Sequence, residues 1–321
     1  MNYLEFNRNM LERTILFDLS HNEMLNIYDE DFSDFLFLLE QANLIIKVNE
    51  NQEITSKLLQ DIDILVIGNP IDDYFSTIEI KNICDFVRNG GNLLLISEYG
   101  ADFLQKTNLN DFSGMHFGIF FEKNLVKELN HINQNRSNIL HIKKFQNHDI
   151  TKGLREIIIG GSCSLFLNKK AKPLFSTNEK EVWSEIYNNT SGRWVRDKEQ
   201  AQIIAAFTEY GKGKILGIGD IDIFTNEKNI GVKCLDNTIF IRNLINYLSE
   251  PVEESNVISF LLHQLGEVQN DMRELTKTMN NVIETLTILE KRLSYLEEKA
   301  NILSSEKKNI DLLHTETLEE N

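Results

Sequence analysis

The stretch Ile62-Asp63-Ile64-Leu65-Val66-Ile67-Gly68, then Ser76 to Arg88, then Asn89-Gly90-Gly91-Asn92-Leu93-Leu94-Leu95-Ile96-Ser97 decides the fold class. Its two short apolar runs, rich in branched side chains and bounded by Gly and Asn, read as strands buried on both faces. Between them, Ser76 with Glu79 three residues on has the capping-box spacing, so a helix is predicted from there through Arg88. Asn89-Gly90-Gly91 stops that helix. Strand, helix and strand joined by short loops make a βαβ unit, which sets the two strands parallel in one sheet.

The same alternation extends outward. Thr14 to Leu19 reads as a strand, Asp31 to Gln41 as a helix with apolar residues at helical spacing, Leu44 to Val48 as a second strand, and 54–60 as a short helix. The middle, 106–200, is less regular. Short strands are predicted at 118–121, 139–142, 156–159, 164–167 and 182–186, as an antiparallel extension whose order one sequence does not fix. Gln202 to Tyr210 and Lys214 to Asp220 flank Gly211-Lys212-Gly213 and predict a hairpin. Asp236 to Leu248 closes the unit as a helix. The expected class is α/β: a mostly parallel sheet with helices on both faces and a β extension, over residues 1–250.

Pro251 marks a change of composition. Residues 253–321 hold 7 basic and 14 acidic side chains, one glycine (Gly266) and no proline, whereas both tryptophans and all three cysteines precede them. From Ile258, apolar residues recur at alternating three and four spacing: Leu261, Leu265, Val268, Met272, Leu275, Met279, Val282, Leu286, Leu289, Leu293, Leu296, Ala300 and Leu303. That is a heptad seam, and it predicts a coiled-coil helix over 258–303, a rod of roughly 70 Å. The expected organisation is therefore an α/β domain (1–250), a linker (251–257), the coiled coil (258–303) and a frayed acidic tail (304–321). A homodimer or a heterologous coiled-coil partner follows from the seam.

Composition excludes several classes. With 33 basic against 49 acidic side chains, a net charge of −16, the chain lacks the basic footprint that nucleic acid or an anionic membrane surface requires. No apolar run reaches 18 residues, so no membrane insertion is expected. The first residues, MNYLEFNRNMLERTILF, mix charges and carry no apolar core of a secretory signal. Cys84, Cys163 and Cys234, odd in number and far apart, fit reduced, buried thiols in a cytoplasmic protein.

In an open parallel sheet ligands bind beyond the carboxyl ends of the strands. There the sequence places Asp18 and His21, Gly68 and Asn69, Ser97 and Glu98, and Asp220 and Asp222, as candidates for one crevice rim. Such a set suits a hard cation or acid–base work. It equally suits structural duty: Asp18, Ser20 and Asn22 as cap and turn residues, His21 as a hydrogen-bonded histidine, Asp220 and Asp222 as acceptors of backbone N–H groups. Asn237 and Asn243 are expected to bind loop backbone, and His148 to Gly153 to form a turn. No GxGxxG, GxxxxGK[ST], CxxC, HExxH or G-x-S-x-G motif is present.

Ile15 to His21, Asp63 to Gly68 and Val87 to Glu98, then Gly114 to Ile119, His148 to Leu154, Tyr210 to Asp220 and Asp236 to Leu244, occur in an order that resembles the class I glutamine-amidotransferase-like superfamily over residues 12–250. The resemblance is to its non-catalytic branch. That branch holds domain-of-unknown-function proteins, the gliding-motility auxiliary component of ABC transporters, and the N-terminal domain of an intraflagellar-transport B-core subunit. It implies a flavodoxin-like, amidotransferase-like fold with Glu98 at the position of the cysteine nucleophile and Gly68-Asn69 at the oxyanion-hole loop. A carboxylate cannot form the thioester, and the His-x-Glu pair is absent, so neither a catalytic residue nor a cofactor or metal is assigned. The expectation is a binding or scaffold protein with a protein partner. Two alternatives use the strand-end rim: a small-molecule or sugar sensor, and a metal-assisted hydrolase built on Asp18, His21, Glu98 and Asp220.

Overall fold

The computed structural model describes residues 13–129, 138–168 and 170–250, together with 268–269, 272–273, 275–294, 296 and 299. The chain divides into two compact units, Met1–Ile258 and Ser259–Asn321.

In the first unit, β1 (Thr14–Asp18), α1 (Ser33–Gln41), β2 (Ile45–Asn49), β3 (Ile64–Gly68), α2 (Thr77–Arg88) and β4 (Asn92–Ile96) follow the predicted alternation. Residues 54–60 depart from it: they form turns, not a helix. The backbone there is taken up by side chains. Ile54 N–H donates to Glu79, Leu58 N–H to Thr55, and the Ile54 carbonyl accepts from Asn82. α2 carries the full capping box, Ser76 and Glu79 bonding each other's backbone N–H.

After the short helices α3 (Ala101–Gln105) and α4 (Asn110–Ser113), the irregular middle is built from strands. These are β5 (Ile119–Phe121), β6 (Asn124–Glu128), β7 (Leu140–Ile142), β8 (Lys144–Phe145), β9 (Ile157–Ile159), β10 (Leu165–Leu167), β11 (Lys172–Ser176), β12 (Val182–Asn188) and β13 (Arg193–Arg196). β5, β7, β9, β10 and β12 fall on the predicted runs. The others carry Lys, Arg or Glu that hide them in a single sequence. β14 (Ile203–Tyr210) and β15 (Gly213–Ile218) form the predicted hairpin, and α5 (Asn237–Ser249) closes the unit.

The main sheet runs β2-β1-β3-β4-β15-β14-β10-β5, with β11 pairing β14 and β8. Its first five strands are parallel and the rest antiparallel. β1, β3, β4 and β15 are buried at every residue, as the continuous apolar runs require. Because side chains alternate across a strand, Ile15 and Phe17 pack with α1 and α5 on one face, while Leu16 packs with Ile83, Cys84 and Val87 of α2 on the other. Cys84 and Cys163 are core; Cys234, expected to be buried, is only partly so and donates to the Lys228 carbonyl.

In the second unit, 275–294 is helical throughout. Val268, Met272, Leu275, Met279, Val282, Leu286, Leu289, Leu293 and Leu296 are each 52–65% exposed. The predicted seam residues Ile258, Leu261, Leu265, Ala300 and Leu303, the linker 251–257 and the tail 304–321 lie outside the described residues.

Candidate functional site

The polar residues beyond the strand ends gather into two clusters rather than one rim. Asp18 ends β1 and Asp220 follows β15. With β3 and β4 between them, three strand spacings of about 4.8 Å hold them roughly 14 Å apart. Asp18 and His21 therefore fall in one cluster, Glu98, Asp220 and Asp222 in the other, and the four residues of the hydrolase alternative do not meet.

The first cluster sits where the strand order reverses, between β1 and β3. Asp18 is buried and pairs with His21 Nδ1 at 2.8 Å. It also accepts from Asn49 Nδ2 at 2.6 Å and from Ser20 Oγ at 2.9 Å. Residues 20–21 make a tight turn and the next helix begins only at Glu30, so Asp18 caps nothing; it organises the loop. Glu23, which the sequence did not single out, returns into the same pocket. Its Oε2 accepts the His21 backbone N–H, while its Oε1 lies 3.9 Å from His21 Nδ1. Glu79 closes the far side, its Oε1 3.4 Å from His21 Nε2. Phe75 covers the imidazole face to face, centroids 4.0 Å apart.

Electrostatics couples these groups. Burial presses the Asp18 carboxyl upward, yet its bonds to His21 and Glu23 and the imidazole charge hold it below its ordinary value. Burial disfavours the His21 imidazolium, and the bond and charge of Asp18, with Glu79 and Asp73, raise it nonetheless. Glu23 is pushed up to about 10, first by burial and then by the Asp18 charge. Glu79 stays low despite burial because the Ser76 and Ile54 N–H groups bind its charged form.

Asn69 lies beside this cluster at the end of β3, with φ 57. Its backbone N–H donates to the Ile96 carbonyl at 2.9 Å and its carbonyl accepts from Met24 N–H. An N–H committed to the sheet is not available to an oxyanion. Gly68 packs against Leu25 so closely that a Cβ there would overlap its side chain.

The second cluster is formed by Glu98, Asp220 and Asp222. Glu98 Oε1 accepts from Ile221 N–H at 3.0 Å. Asp220 accepts from the N–H groups of Gly160, Asp222 and Ile223, the backbone role foreseen for it. Burial, followed by the Asp220 and Asp222 charges, pushes Glu98 well above the usual carboxylate range, and burial with the Asp222 charge brings Asp220 to about 7. A Cβ on Gly160 would strike the Asp222 carboxylate, so glycine shapes this wall. A cleft lined by Asp31, Thr225, Asn226, Glu227 and Ile230 opens beside Asp222.

Ser97 is buried, and its backbone N–H donates to the Ile218 carbonyl. The fully buried Cys163 lies within reach of Ser97 and Glu98; burial and the Glu98 charge raise its thiol, which removes the thiolate a nucleophile requires. The strand-to-helix turn after Glu98 is tight even without the glycine of a nucleophile elbow: Gly100 and Ala101 both take positive φ. Asn237 and Asn243 donate to loop carbonyls as anticipated, and His148 caps the turn that follows it.

A parallel sheet with the order 2-1-3-4-5, extended on one edge by antiparallel strands and carrying polar clusters beyond its strand ends, defines an α/β protein with a mostly parallel central sheet. A family described as the IFT52 GIFT domain matches residues 14–178. The chain belongs to that family. A solved structure titled "mmIFT52 N-terminal domain" superposes with a TM-score of 0.61 at 18% identity, covering 74% of this chain and 97% of that one. The cytoplasmic protein STM1381 from Salmonella typhimurium LT2 aligns at 15% identity over 74% of this chain and 100% of its own, with a TM-score of 0.49. A ThuA-like protein from Bacteroides uniformis aligns at 12% identity over 73% and 89%, with a TM-score of 0.46. No curated protein matches.

Proposed function

We propose that the chain is a non-enzymatic assembly protein: its α/β unit binds a protein partner, and its C-terminal helix pairs with a second copy of itself as a parallel coiled coil. The observation that carries this reading is the seam on the second unit, where residues spaced three and four apart are all more than half exposed. A stripe of that length on one helix face is apolar surface that a partner helix buries. Membership in the IFT52 GIFT domain family supports a binding role, in keeping with the resemblance to an intraflagellar-transport subunit. Buried Glu98 at the nucleophile position and the committed Asn69 N–H support an amidotransferase-like ancestry without amidotransferase chemistry. Among the described residues no helix is long and apolar enough to cross a membrane.

Light scattering on the full-length protein tests the stalk. The expected result is twice the chain mass, falling to a monomer when Leu275 and Leu289 are both changed to Asp, with the melting of the α/β unit unchanged. A wild-type monomer that also captures no heterologous helical partner overturns the reading.

A further inference from the structure

We infer that Asp18, His21 and Glu23 form a binding site for one divalent first-row transition cation at the carboxyl end of β1. This site is independent of the proposed scaffold role. The donor atoms of the three residues lie within 4.8 Å of one another, with His21 Nδ1 2.8 Å from Asp18 Oδ2 and 3.9 Å from Glu23 Oε1. Nitrogen and oxygen ligands about 2.1 Å from a shared zinc ion stand roughly 3.4 Å apart in a tetrahedron, so sub-ångström shifts bring these atoms to a common centre. A mixed imidazole and carboxylate set is the chemistry zinc and its neighbours select, in contrast to the all-oxygen set magnesium prefers.

Glu23 Oε1 is the second, separate observation. It is fully buried and faces this centre, and among the described residues no N–H or hydroxyl group of another residue donates to it; the bond open to it is the one Glu23 makes to the Asp18 carboxylate when it carries a proton of its own. No lysine or arginine among the described residues pairs with Asp18, Glu23 or Glu79, although three carboxylates surround one imidazole. A buried carboxylate oxygen without a donor is costly unless a cation or a proton occupies the gap. A divalent ion displaces the Glu23 proton, balances both carboxylates and gives Glu23 Oε1 its partner, so binding releases a proton.

The surroundings are those of a supported metal centre. His21 Nε2 faces Glu79 Oε1 at 3.4 Å, the carboxylate behind a ligating histidine that fixes its tautomer. Glu79 is itself anchored by the Ser76 and Ile54 N–H groups. Asn49 Nδ2 holds Asp18 Oδ1 and is in turn held by the Gln52 carbonyl, which leaves Asp18 Oδ2 for the centre. In the Glu98 cluster more of the acceptor positions are taken: Asp220 accepts from three backbone N–H groups and Glu98 Oε1 from one, whereas Glu23 Oε1 accepts from none.

The test is calorimetric titration of the full-length protein with Zn²⁺ after chelator treatment, with Mg²⁺ as the oxygen-preferring control. Wild type is expected to bind about one equivalent of Zn²⁺ and to melt at higher temperature with it, and to bind Mg²⁺ far more weakly. Glu23→Gln keeps the side chain's shape and is expected to weaken zinc binding about tenfold or more, Glu79→Gln by less, and Glu98→Gln not at all. If Glu23→Gln does not fold, the Co²⁺ absorption spectrum decides: bands indicating a nitrogen ligand are expected in wild type and should vanish in His21→Gln. Two results overturn the site. One is wild type that binds no zinc, with a proton on Glu23 closing the gap instead. The other is zinc binding unchanged by both Glu23→Gln and His21→Gln, which assigns the ion to another group such as Cys234.

Discussion

The imidazole of His21 lies on the ring of Phe75, centroids 4.0 Å apart and planes within 28° of each other. Phe75 is buried and meets Phe112 edge-on at 5.2 Å, so the stack joins the polar cluster to the core beneath α2. Phe75→Leu fills most of the volume but loses both ring contacts, and is expected to cost about 1–2 kcal/mol; Phe75→Ala also opens a cavity and should cost about 3–5. Urea denaturation checks this, and a Phe75→Leu variant as stable as wild type would show that the rings contribute only volume.

The Glu98–Asp220 pair predicts a loss of stability toward alkaline pH. Burial raises both groups, Asp220 to about 7, and the Asp222 charge adds to the effect. A folded-state value above the unfolded one means that the native protein holds protons the unfolded chain has released. Stability is therefore greatest on the acid side of this range and falls as pH rises through about 7. Glu98→Gln keeps the acceptor for Ile221 N–H and removes one charge. It should flatten the fall between pH 5 and 8 and leave the protein more stable than wild type at pH 8. Melting curves across pH, wild type against variant, measure the difference; parallel curves would mean that Glu98 does not titrate there.

The fold was legible because the buried parallel strands are unbroken apolar runs separated by a capped helix and Gly stops, signals carried by adjacent residues. β6, β8, β11 and β13 were not, since Lys, Arg and Glu in them are satisfied by distant partners: Lys127 pairs with Glu185 and Lys144 with Glu179. Candidate residues beyond the strand ends were legible one strand at a time. That Asp18 and Glu98 would separate depends on how many strands lie between them, which is a property of the sheet order. Glu23 went unnoticed because a loop glutamate has no local pattern; only the return of the 20–25 loop against Gly68 and Asn69 brings it beside Asp18.

Two glycines should respond very differently to alanine. Gly213 begins β15 where a Cβ would run into the carbonyls of Gly91 and Val87, both backbone and unable to yield. Gly153 takes φ +81 but has open space around it. Gly153→Ala should cost about 1 kcal/mol, the left-handed penalty alone. Gly213→Ala forces the β14–β15 hairpin away from the end of α2 and should cost 3 kcal/mol or more, on the order of other overpacked core sites. Denaturant midpoints order the two, and the reverse order would disprove the close approach.

The C-terminal end of α5 has no basic residue in its last turn, and the sheet supplies one. Lys214 of β15 is buried, with Nζ donating to the Tyr247 and Glu250 carbonyls at 2.9 Å each and lying 4.2 Å above the Tyr247 ring. Asn92 of β4 completes the arrangement: its Nδ2 donates to the Leu248 carbonyl and its Oδ1 accepts the Lys214 backbone N–H. Carbonyls that a helix end leaves without partners are thus met by two adjacent parallel strands. Lys214→Met keeps the aliphatic stem and removes the donors, so the two carbonyls lose charge-assisted bonds and a favourable helix-dipole contact; about 2–3 kcal/mol is expected. Asn92→Ala should cost about 1–2. Because Asn92 positions the strand that carries Lys214, the double variant should lose less than the sum, with a coupling of about 1 kcal/mol in a double-mutant cycle. Lys214→Met within about 0.5 kcal/mol of wild type would mean that solvent serves these carbonyls as well as the lysine does, and strict additivity would mean that Asn92 does not position Lys214.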